Sequence, residues 1–237
     1  MNRYILLTLI ALITAMFVLS YLTNNKRIVS YHERLTATKL KTVSQIIETT
    51  RMWVSSKGGV YVKVNSCSQP NEYLDIPGRD IVVNDTIMLT LFNPAYVTRQ
   101  ISELLAKEEK DVTIHLTSTK PIRKTNMADE WEQKALKTFT KESDSYFEKT
   151  GKDTHIVYRF IYPFFTRKSC LKCHGKDGYR EGDLRGGLSI SLDGKSQEEI
   201  VLSQKLENLS THVLFYITFV ILLIVLSYFL RKSMQNR

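Results

Sequence analysis

Cysteine and histidine are scarce in this chain, whose 237 residues include only three cysteines and five histidines. A structural zinc site needs four Cys or His ligands at short spacing, and the sequence offers no such set around its cysteines. Internal repeats and low-complexity tracts are absent as well. The few cysteines therefore need an explanation other than a zinc site or a repeat architecture.

Two of the three cysteines stand in the sequence Cys-Leu-Lys-Cys-His at residues 170–174. C-x-x-C-H is the attachment motif of c-type haem, in which two thiols form thioether bonds to the porphyrin and the histidine binds the iron. A thioredoxin-like redox pair would begin a helix within a βαβ pattern, whereas this motif follows an aromatic stretch from Tyr158 to Phe165. We therefore predict one covalent haem c, attached through Cys170 and Cys173, with His174 as a ligand to the iron.

Long uncharged runs lie near both ends of the chain, from Tyr4 to Leu22 and from Val213 to Leu230. Each is long enough to cross a bilayer as a helix. The first is too long for the apolar part of a usual signal peptide, and no small-residue cleavage site follows it, so we predict an uncleaved anchor. Because Arg3 precedes the first run and Arg231 follows the second, the positive-inside rule places both termini in the cytoplasm.

The predicted haem attachment indicates on which side of the membrane the middle of the chain lies. Covalent c-type attachment takes place outside the cytoplasmic membrane of bacteria, so residues 23–212 are predicted to be periplasmic. We expect a bacterial inner-membrane protein with two spans and a periplasmic haem domain.

The formal net charge of +9 suggests a nucleic-acid partner at first, but its distribution argues against one. Between Gly58 and His212 the sequence has 22 basic and 22 acidic side chains. Residues 24–57 have seven basic and two acidic ones, so the excess lies next to the membrane, where anionic head groups attract it. A solvated helix face is the alternative. We predict the lipid bilayer as a partner and no nucleic acid.

Two long helices are predicted next to the membrane spans. Residues 26–57 carry apolar side chains at helical spacing and end at Gly58-Gly59, while Ser196 and Glu199 form a capping-box pattern that begins the other helix. We expect these helices to pack on each other or on a second copy of the chain. The predicted segments are an anchor helix (1–23), a membrane-proximal helix (24–57), a haem domain (58–195), a second membrane-proximal helix (196–212), a transmembrane helix (213–230) and a cytoplasmic tail (231–237).

The middle of the chain combines strand and helix patterns. Strands are predicted at residues 60–64, 81–83, 86–91, 112–116, 155–162 and 187–192. One helix should begin at Asn93-Pro94, an N-cap followed by a first-turn proline, and a second should run from Asp129 to Lys149 and end before Gly151. This order predicts an α+β fold with an antiparallel sheet and helices grouped on one side.

Six ordered stretches resemble a known family: 58–62 (GGVYV), 93–102 (NPAYVTRQIS), 115–118 (HLTS), 129–132 (DEWE), 169–175 (SCLKCHG) and 178–187 (GYREGDLRGG). On these motifs the chain resembles the PAS-like c-type haem family, which includes periplasmic sensor domains of bacterial chemoreceptors and histidine kinases and stand-alone cyanobacterial haem proteins. The resemblance covers residues 30–195. It implies a PAS-like sheet that holds one haem c, with Cys170 and Cys173 as thioether links and His174 as ligand. Together with the two apolar runs, this predicts a PAS-like antiparallel sheet with flanking helices between two transmembrane helices.

The second face of the iron also needs a ligand, and Cys67 is the first candidate. It is the cysteine outside the haem motif and lies in a polar loop after the first strand, and a free thiol in an oxidising compartment suggests ligation. Some members of the similar family use a cysteine from a comparable loop. Otherwise Cys67 is a bystander or forms an intermolecular disulfide. The other candidate ligands are Met52, Met88, Met127, His115, His155 and water.

Aromatic and basic residues are candidates for contacts with the porphyrin. The aromatic candidates are Tyr96, Trp131, Tyr162, Tyr158, Phe164 and Phe165, although such residues more often pack a plain core. Arg99 and Arg185 would pair with the haem propionates, because a guanidinium matches a carboxylate as a fork. A surface ion pair is the alternative for both arginines.

These features favour a membrane-anchored mono-haem cytochrome with one of two roles. As a redox or small-ligand sensor subunit, it would pass a change at the iron through its membrane-proximal helices to a separate signalling partner. Family members with two spans usually continue into a signalling domain, whereas this chain ends seven residues after the second run. As a tethered electron-transfer cytochrome, it would instead serve a redox partner. No acid/base constellation indicates an enzyme.

Overall fold

The computed structural model of the protein describes residues 3–151, 155–171, 175 and 178–236. These residues form helices α1 (Arg3–Ser56), α2 (Pro94–Glu108), α3 (Glu130–Thr138) and α4 (Lys195–Gln235). They form strands β1 (Val60–Lys63), β2 (Asp80–Asn84), β3 (Ile87–Phe92), β4 (Val112–Thr117), β5 (Tyr146–Thr150), β6 (Val157–Phe165) and β7 (Leu184–Asp193). The chain divides into two compact units, one of residues 1–35 with 195–237 and one of residues 36–194. The prediction of an α+β fold is confirmed.

The first unit contains the N-terminal part of α1, up to residue 35, and the whole of α4. Both helices are long and apolar enough to cross a membrane. Polar side chains of the two helices meet in pairs. The hydroxyls of Thr14 and Tyr216 are 2.9 Å apart, and the Asn208 amide donates to the Asn25 side-chain oxygen at 2.9 Å. Hydrogen bonds of this kind hold apolar helices together, so α1 and α4 pack on each other within this unit.

The strands of the second unit form two antiparallel sheets, in the orders β1-β3-β2 and β4-β7-β6-β5. We expected a single sheet, and this expectation is corrected. β3 pairs with β1 along one edge and with β2 along the other, so no edge of β3 remains for another strand. β4 therefore pairs with β7 and begins a second sheet.

The turn from β3 into α2 sets the position of two predicted site residues. The Asn93 side chain accepts a hydrogen bond from the Tyr96 backbone N–H at 2.8 Å, and Pro94 is the first residue of the helix, as predicted. This cap fixes the first turn, and the Tyr96 ring packs 4.3 Å from the ring of Phe92. Arg99 follows three residues after Tyr96, on the same face of α2.

The second predicted helix, from Asp129 to Lys149, is wrong in its second half. It begins as expected, because Asp129 caps α3 in a capping box. However, α3 ends at Thr138, residues 139–145 form a connection without helix or strand, and β5 begins at Tyr146. Tyr, Phe and Thr in this stretch favour a strand. β5 pairs along β6, where Phe147 stacks on Tyr158 with ring centres 6.0 Å apart.

β6 extends further than predicted, through Pro163 to Phe165. We expected it to end at the proline, because proline cannot donate to a ladder. Pairing with β5 stops at Ile161, while pairing with β7 continues to the end of the strand. At Pro163, β6 is paired with β7 but no longer with β5. The missing N–H of the proline therefore interrupts no hydrogen bond on the β5 side.

The main core of the second unit lies on the four-stranded sheet. Phe160, Leu188 and Ile190 are buried there, and Leu40 and Ile47 of α1 belong to the same cluster. The last turns of α1 are therefore packed on this sheet. That packing determines where the neighbouring charged residues of α1 lie.

Candidate functional site

A cavity of about 460 Å³ lies in the second unit. It is lined by the last turns of α1, the first turns of α2, the loop after β4, the end of β6 with the loop that follows, and the start of β7. Its volume is that of an ordinary small-molecule site. Phe164, Phe165 and Ile122 contribute apolar surface, and arginines contribute positive charge.

Seven residues singled out from the sequence line this cavity: Cys170, Tyr96, Arg99, Arg185, Met52, Phe164 and Phe165. Cys170 is partly buried and ends a short 3₁₀ turn, Lys168–Cys170, just after β6. The fold thus brings together candidates that are widely separated in the sequence. The other two residues of the predicted haem motif, Cys173 and His174, lie outside the described residues.

Trp131 and Tyr162, also predicted to contact a porphyrin, lie outside the cavity wall. The Trp131 indole N–H donates to the Glu148 carboxylate at 2.6 Å, so its polar end faces another partner. The Tyr162 ring is 6.1 Å from that of Phe164, which does line the cavity. Contact of Trp131 and Tyr162 with a haem stays a prediction.

Cys67 is exposed and does not line the cavity. Its backbone N–H donates to the Asn65 side chain at 2.8 Å in a tight turn. The same loop reaches the cavity a few residues later, since the Tyr96 hydroxyl donates to the Gln69 carbonyl at 2.7 Å and Asn71 lies in the wall. Ligation of an iron by Cys67 stays a prediction.

Of the three methionines considered as iron ligands, Met52 lines the cavity, whereas Met88 and Met127 lie elsewhere. The part of the chain that the structure describes contains no cluster of three or more His, Cys, Asp or Glu side chains suited to a metal ion.

His115, another candidate ligand, belongs to a closed polar group that we call the His115–Glu132 cluster. His115 Nδ1 is 3.0 Å from the Glu132 carboxylate and its Nε2 is 3.0 Å from the Thr125 carbonyl. The buried Glu132 also accepts hydrogen bonds from the Thr117 hydroxyl at 2.8 Å and the Asp129 backbone N–H at 3.0 Å. Because both ring nitrogens face acceptors, the ring is a cation that donates twice and is not free to bind iron.

The electrostatics of the His115–Glu132 cluster agree with this geometry. Burial alone would raise the pKa of Glu132, but hydrogen bonds from His115, the Asp129 N–H and Thr117 outweigh it and hold the pKa at about 2. The hydrogen bond to Glu132 raises the pKa of His115. The pair is therefore ionic.

Arg51 of α1 connects three elements at the cavity wall, and the sequence did not reveal it as a site residue. Its Nη1 donates to the Thr98 hydroxyl at 3.0 Å and to the Pro94 carbonyl at 3.3 Å. The guanidinium lies 4.3 Å from the centre of the Phe164 ring, and Nε is 3.4 Å from the Glu48 carboxylate. Burial lowers the pKa of Arg51, and Glu48 partly offsets this effect.

Glu48 is an acidic residue of the same wall, with a side chain only 14% exposed. Its carboxylate is 3.2 Å from Arg167 Nη2. Burial raises the pKa of Glu48, and the two arginines act against the rise. Glu48 and Arg51 were not predicted as site residues, because the charges of this helix were attributed to the membrane surface. Their spacing of three residues, which places both on one helix face, was the available signal.

The two predicted propionate partners are held in different ways. The Arg99 guanidinium lies 4.1 Å from the centre of the Tyr96 ring, and its Nε is 3.9 Å from Glu103. Arg185 Nη1 donates to the Ser118 hydroxyl at 3.2 Å. Arg185 therefore has a neutral acceptor, and within the described residues no carboxylate is bonded to it.

Two buried polar atoms at the cavity, Arg185 Nε and Thr166 Oγ1, have no hydrogen-bond partner among the described residues. Buried polar atoms are normally hydrogen-bonded, so these atoms mark places where a bound group would complete the site. A haem has carboxylates for guanidinium and hydroxyl groups and a flat apolar ring for Phe164 and Phe165. The residues that line the cavity therefore fit this group.

Comparison with known families covers the region that contains this cavity. A family model described as Tll0287-like matches residues 24–193. The chain belongs to the Tll0287-like family. The family resemblance predicted from the ordered motifs is thereby confirmed. The Tll0287-like region begins within α1 and ends with the last residue of β7, so it contains both sheets and every cavity residue.

Among solved structures, the chain is similar to one described as the crystal structure of the cyanobacterial haem protein Tll0287. The two share 14% sequence identity, and the match covers 66% of this chain and 93% of that chain with a TM-score of 0.44. No curated protein matches this Tll0287-like chain.

Proposed function

We propose that this Tll0287-like protein is a membrane-anchored, periplasmic mono-haem c-type cytochrome with a PAS-like haem domain. One observation carries the proposal: Cys170 of the C-x-x-C-H motif lies in the wall of a cavity that combines apolar surface with arginines. The family is named after a protein described as a cyanobacterial haem protein, which supports the same cofactor here.

The chain's own residues would hold the haem from several sides. Cys170 and Cys173 form the thioether links, and His174 binds the iron. Arg99 and Arg185 pair with the propionates, which would give the unpartnered Arg185 Nε an acceptor. When bound, the haem supplies one-electron redox chemistry and a coordination position for a small ligand.

Attachment is tested by removing the thiols. Replacing either Cys170 or Cys173 with Ser should leave at most one thioether bond, and replacing both should leave none. Haem staining of the denatured protein on a gel reports the outcome. Cys67→Ser is the matched control, since it removes a thiol outside the motif and should keep the stain. A double variant that retains the stain would contradict covalent attachment.

Cys67 is proposed as the second iron ligand in the ferric state, with Met52 as the alternative. The loop of Cys67 contributes Asn71 to the cavity wall, whereas Met52 lies in the wall itself. A thiolate donates charge to the iron and stabilises the ferric state, so Cys67→Ala should change the ferric spectrum from low-spin to high-spin and raise the reduction potential. If both stay unchanged and Met52→Ala alters the spectrum, the ligand is Met52.

We propose that the apolar parts of α1 and α4 cross the inner membrane, with both termini in the cytoplasm. The length and composition of these helices and the basic residues at the chain ends support this topology. A reporter that works only in the cytoplasm should be active after Arg237 and silent near Gly151. Activity at Gly151 would reverse the topology.

The role that we propose is a redox or small-ligand sensor subunit that acts through a partner protein. α1, which carries the first apolar run, also supplies Glu48, Arg51 and Met52 to the cavity wall. A change in the cavity would therefore act directly on these three residues of α1. If reduction frees one face of the iron, carbon monoxide should bind the reduced protein and shift its absorption spectrum.

A tethered electron carrier is the alternative, and the exposure of the attachment loop favours it. Arg167, Lys168 and Ser169 are exposed next to Cys170, which would leave the haem edge accessible to a redox partner. A carrier that keeps both iron ligands in both oxidation states should show no spectral shift with carbon monoxide. That result would favour electron transfer over ligand sensing.

A further inference from the structure

The charge of the cavity wall is uneven. Among the described residues that line the cavity there are five arginines, and Glu48 is the acidic one. It lies on α1 between two of these arginines, with Arg51 Nε 3.4 Å and Arg167 Nη2 3.2 Å from its carboxylate oxygens. A carboxylate in this position responds strongly to any change of charge inside the cavity.

We propose that Glu48 is a redox-linked proton site: it takes up one proton from water when a haem in the cavity is reduced and releases the proton on oxidation. This inference rests on the proposed haem function. The electron comes from an external one-electron donor, which is oxidised, and the iron is reduced from ferric to ferrous. One O–H bond forms at the Glu48 carboxyl, so the net charge of the cavity does not change.

The physical reason is repulsion between like charges in a poorly solvated site. An electron added to the cavity disfavours a nearby carboxylate and therefore raises its affinity for a proton. Burial already raises the pKa of Glu48, so its neutral form is within reach, whereas the arginines remain protonated. Arg51 is also held by Thr98 and Pro94, so its position does not depend on Glu48.

The other ionisable groups near Glu48 are less suited to this role. Burial and the charge of Glu48 raise the pKa of Tyr162, so this phenol keeps its proton at neutral pH. Lys41 and Asp144 neutralise each other in an ion pair at the surface. Cys170 has no proton to exchange once it forms a thioether. The haem propionates are the main competitors.

Protonation of Glu48 would change the contacts of α1. The neutral carboxyl no longer forms ion pairs with Arg51 and Arg167, and Arg167 is the more exposed of the two, with 55% of its side chain accessible. The oxidation state of the iron would thus alter charged contacts on the helix that carries the first apolar run. This supplies a chemical step for the proposed sensor.

The test measures the reduction potential of the purified full-length holoprotein from about pH 4 to about pH 8. For the wild type, each pH unit should shift the equilibrium between reduced and oxidised protein by up to tenfold, about 59 mV, with the potential falling as pH rises. Glu48→Gln should flatten this dependence. Glu72→Gln is the control, because Glu72 is exposed between two cavity-lining residues, Asn71 and Tyr73, and should keep the wild-type slope.

A second readout identifies the proton acceptor directly. The infrared difference spectrum between reduced and oxidised protein should contain the C=O stretch of a protonated carboxyl, and this band should vanish in Glu48→Gln. A wild-type potential that is independent of pH, or a Glu48→Gln variant that keeps both the slope and the band, would overturn the proposal. A protein without covalent haem would instead fail the proposed function, since it would show no haem potential at all.

Discussion

Two groups of polar side chains in the unit of residues 36–194 differ in how completely they are hydrogen-bonded. In the His115–Glu132 cluster, His115 and Thr117 both donate to the Glu132 carboxylate. At the cavity, Arg185 Nε and Thr166 Oγ1 have no partner among the described residues. Satisfied polar networks stabilise one conformation, whereas unsatisfied buried atoms are costly unless a ligand completes them. We therefore expect the first group to support the fold and the second to bind a ligand.

The glutamates of the two groups, Glu132 and Glu48, show the same contrast in their ionisation. Burial acts to raise the pKa of both. For Glu132, hydrogen bonds from His115, the Asp129 N–H and Thr117 more than compensate, and the pKa falls to about 2. For Glu48, the two arginine neighbours do not compensate, and the pKa stays raised. The number of hydrogen bonds donated to the carboxylate decides the direction.

The largest effect is expected from breaking the closed cluster. Glu132→Ala leaves the His115 cation and the buried Thr117 hydroxyl without their acceptor, so the free energy of unfolding should fall by about 3 kcal/mol. Haem attachment should persist. Urea denaturation measures the loss, and Glu130→Ala, at an exposed neighbour in the first turn of α3, is the control. A loss below about 1 kcal/mol would show that the cluster is not structural.

The ionisation of Glu132 and His115 should also make the stability of the protein depend on pH. Glu132 has a lowered pKa, so its contribution is present above its unfolded pKa of about 4.3 and is lost as pH falls towards about 2. His115 has a raised pKa, so its contribution is full below its unfolded pKa of about 6.5 and is lost as pH rises through the folded value. The stability difference between wild type and His115→Asn should therefore be largest between these two unfolded values.

Unfolding midpoints measured against pH test this expectation. Wild type and His115→Asn should converge at both acidic and alkaline pH. Parallel curves with a constant separation would mean that His115 contributes by packing and not by charge.

A smaller effect on stability is expected at the cavity. Arg185→Gln in the holoprotein should change the free energy of unfolding by less than about 1 kcal/mol. It should lower the reduction potential, because a cation near the haem favours the added electron. Arg180→Gln, an exposed arginine outside the cavity wall, should leave the potential unchanged. An unchanged potential in Arg185→Gln would remove Arg185 from the haem environment.

Two buried threonines, one in each group, compare the groups directly. Thr117→Val takes a hydrogen bond from Glu132 and should cost about 1–2 kcal/mol. Thr166→Val removes a hydroxyl that has no partner among the described residues, so its cost should stay below about 1 kcal/mol. Urea denaturation of the two variants measures both values. Equal costs would mean that the two polar groups do not differ in the way described.

Sequence patterns predicted those parts of the fold that depend on neighbours in the chain. Asn93 and Pro94 predicted the start of α2, because a helix cap depends only on residues close to it in the chain. The haem motif predicted Cys170 at the functional site for the same reason. Tyr96, Arg99 and Arg185 were predicted from the chemistry of their side chains, and all three line one cavity.

The rest depended on contacts that no local pattern encodes. The helical pattern from Asp129 to Lys149 gave way to β5 because β6 offered a free edge for pairing. The split into two sheets followed from the two occupied edges of β3. Glu48 and Arg51 became site residues only through the packing of α1 on the second sheet, which a count of charges along the helix cannot reveal.

The central claim is that the open, arginine-lined cavity holds one covalently attached haem, and the intact mass of the denatured wild-type protein tests it most directly. The polypeptide has a mass of 27.4 kDa. We expect a single species heavier than the polypeptide by one haem, which persists under denaturing conditions because thioether bonds survive them. A mass equal to that of the bare polypeptide, in protein made by cells that attach haem c to other proteins, would contradict the claim.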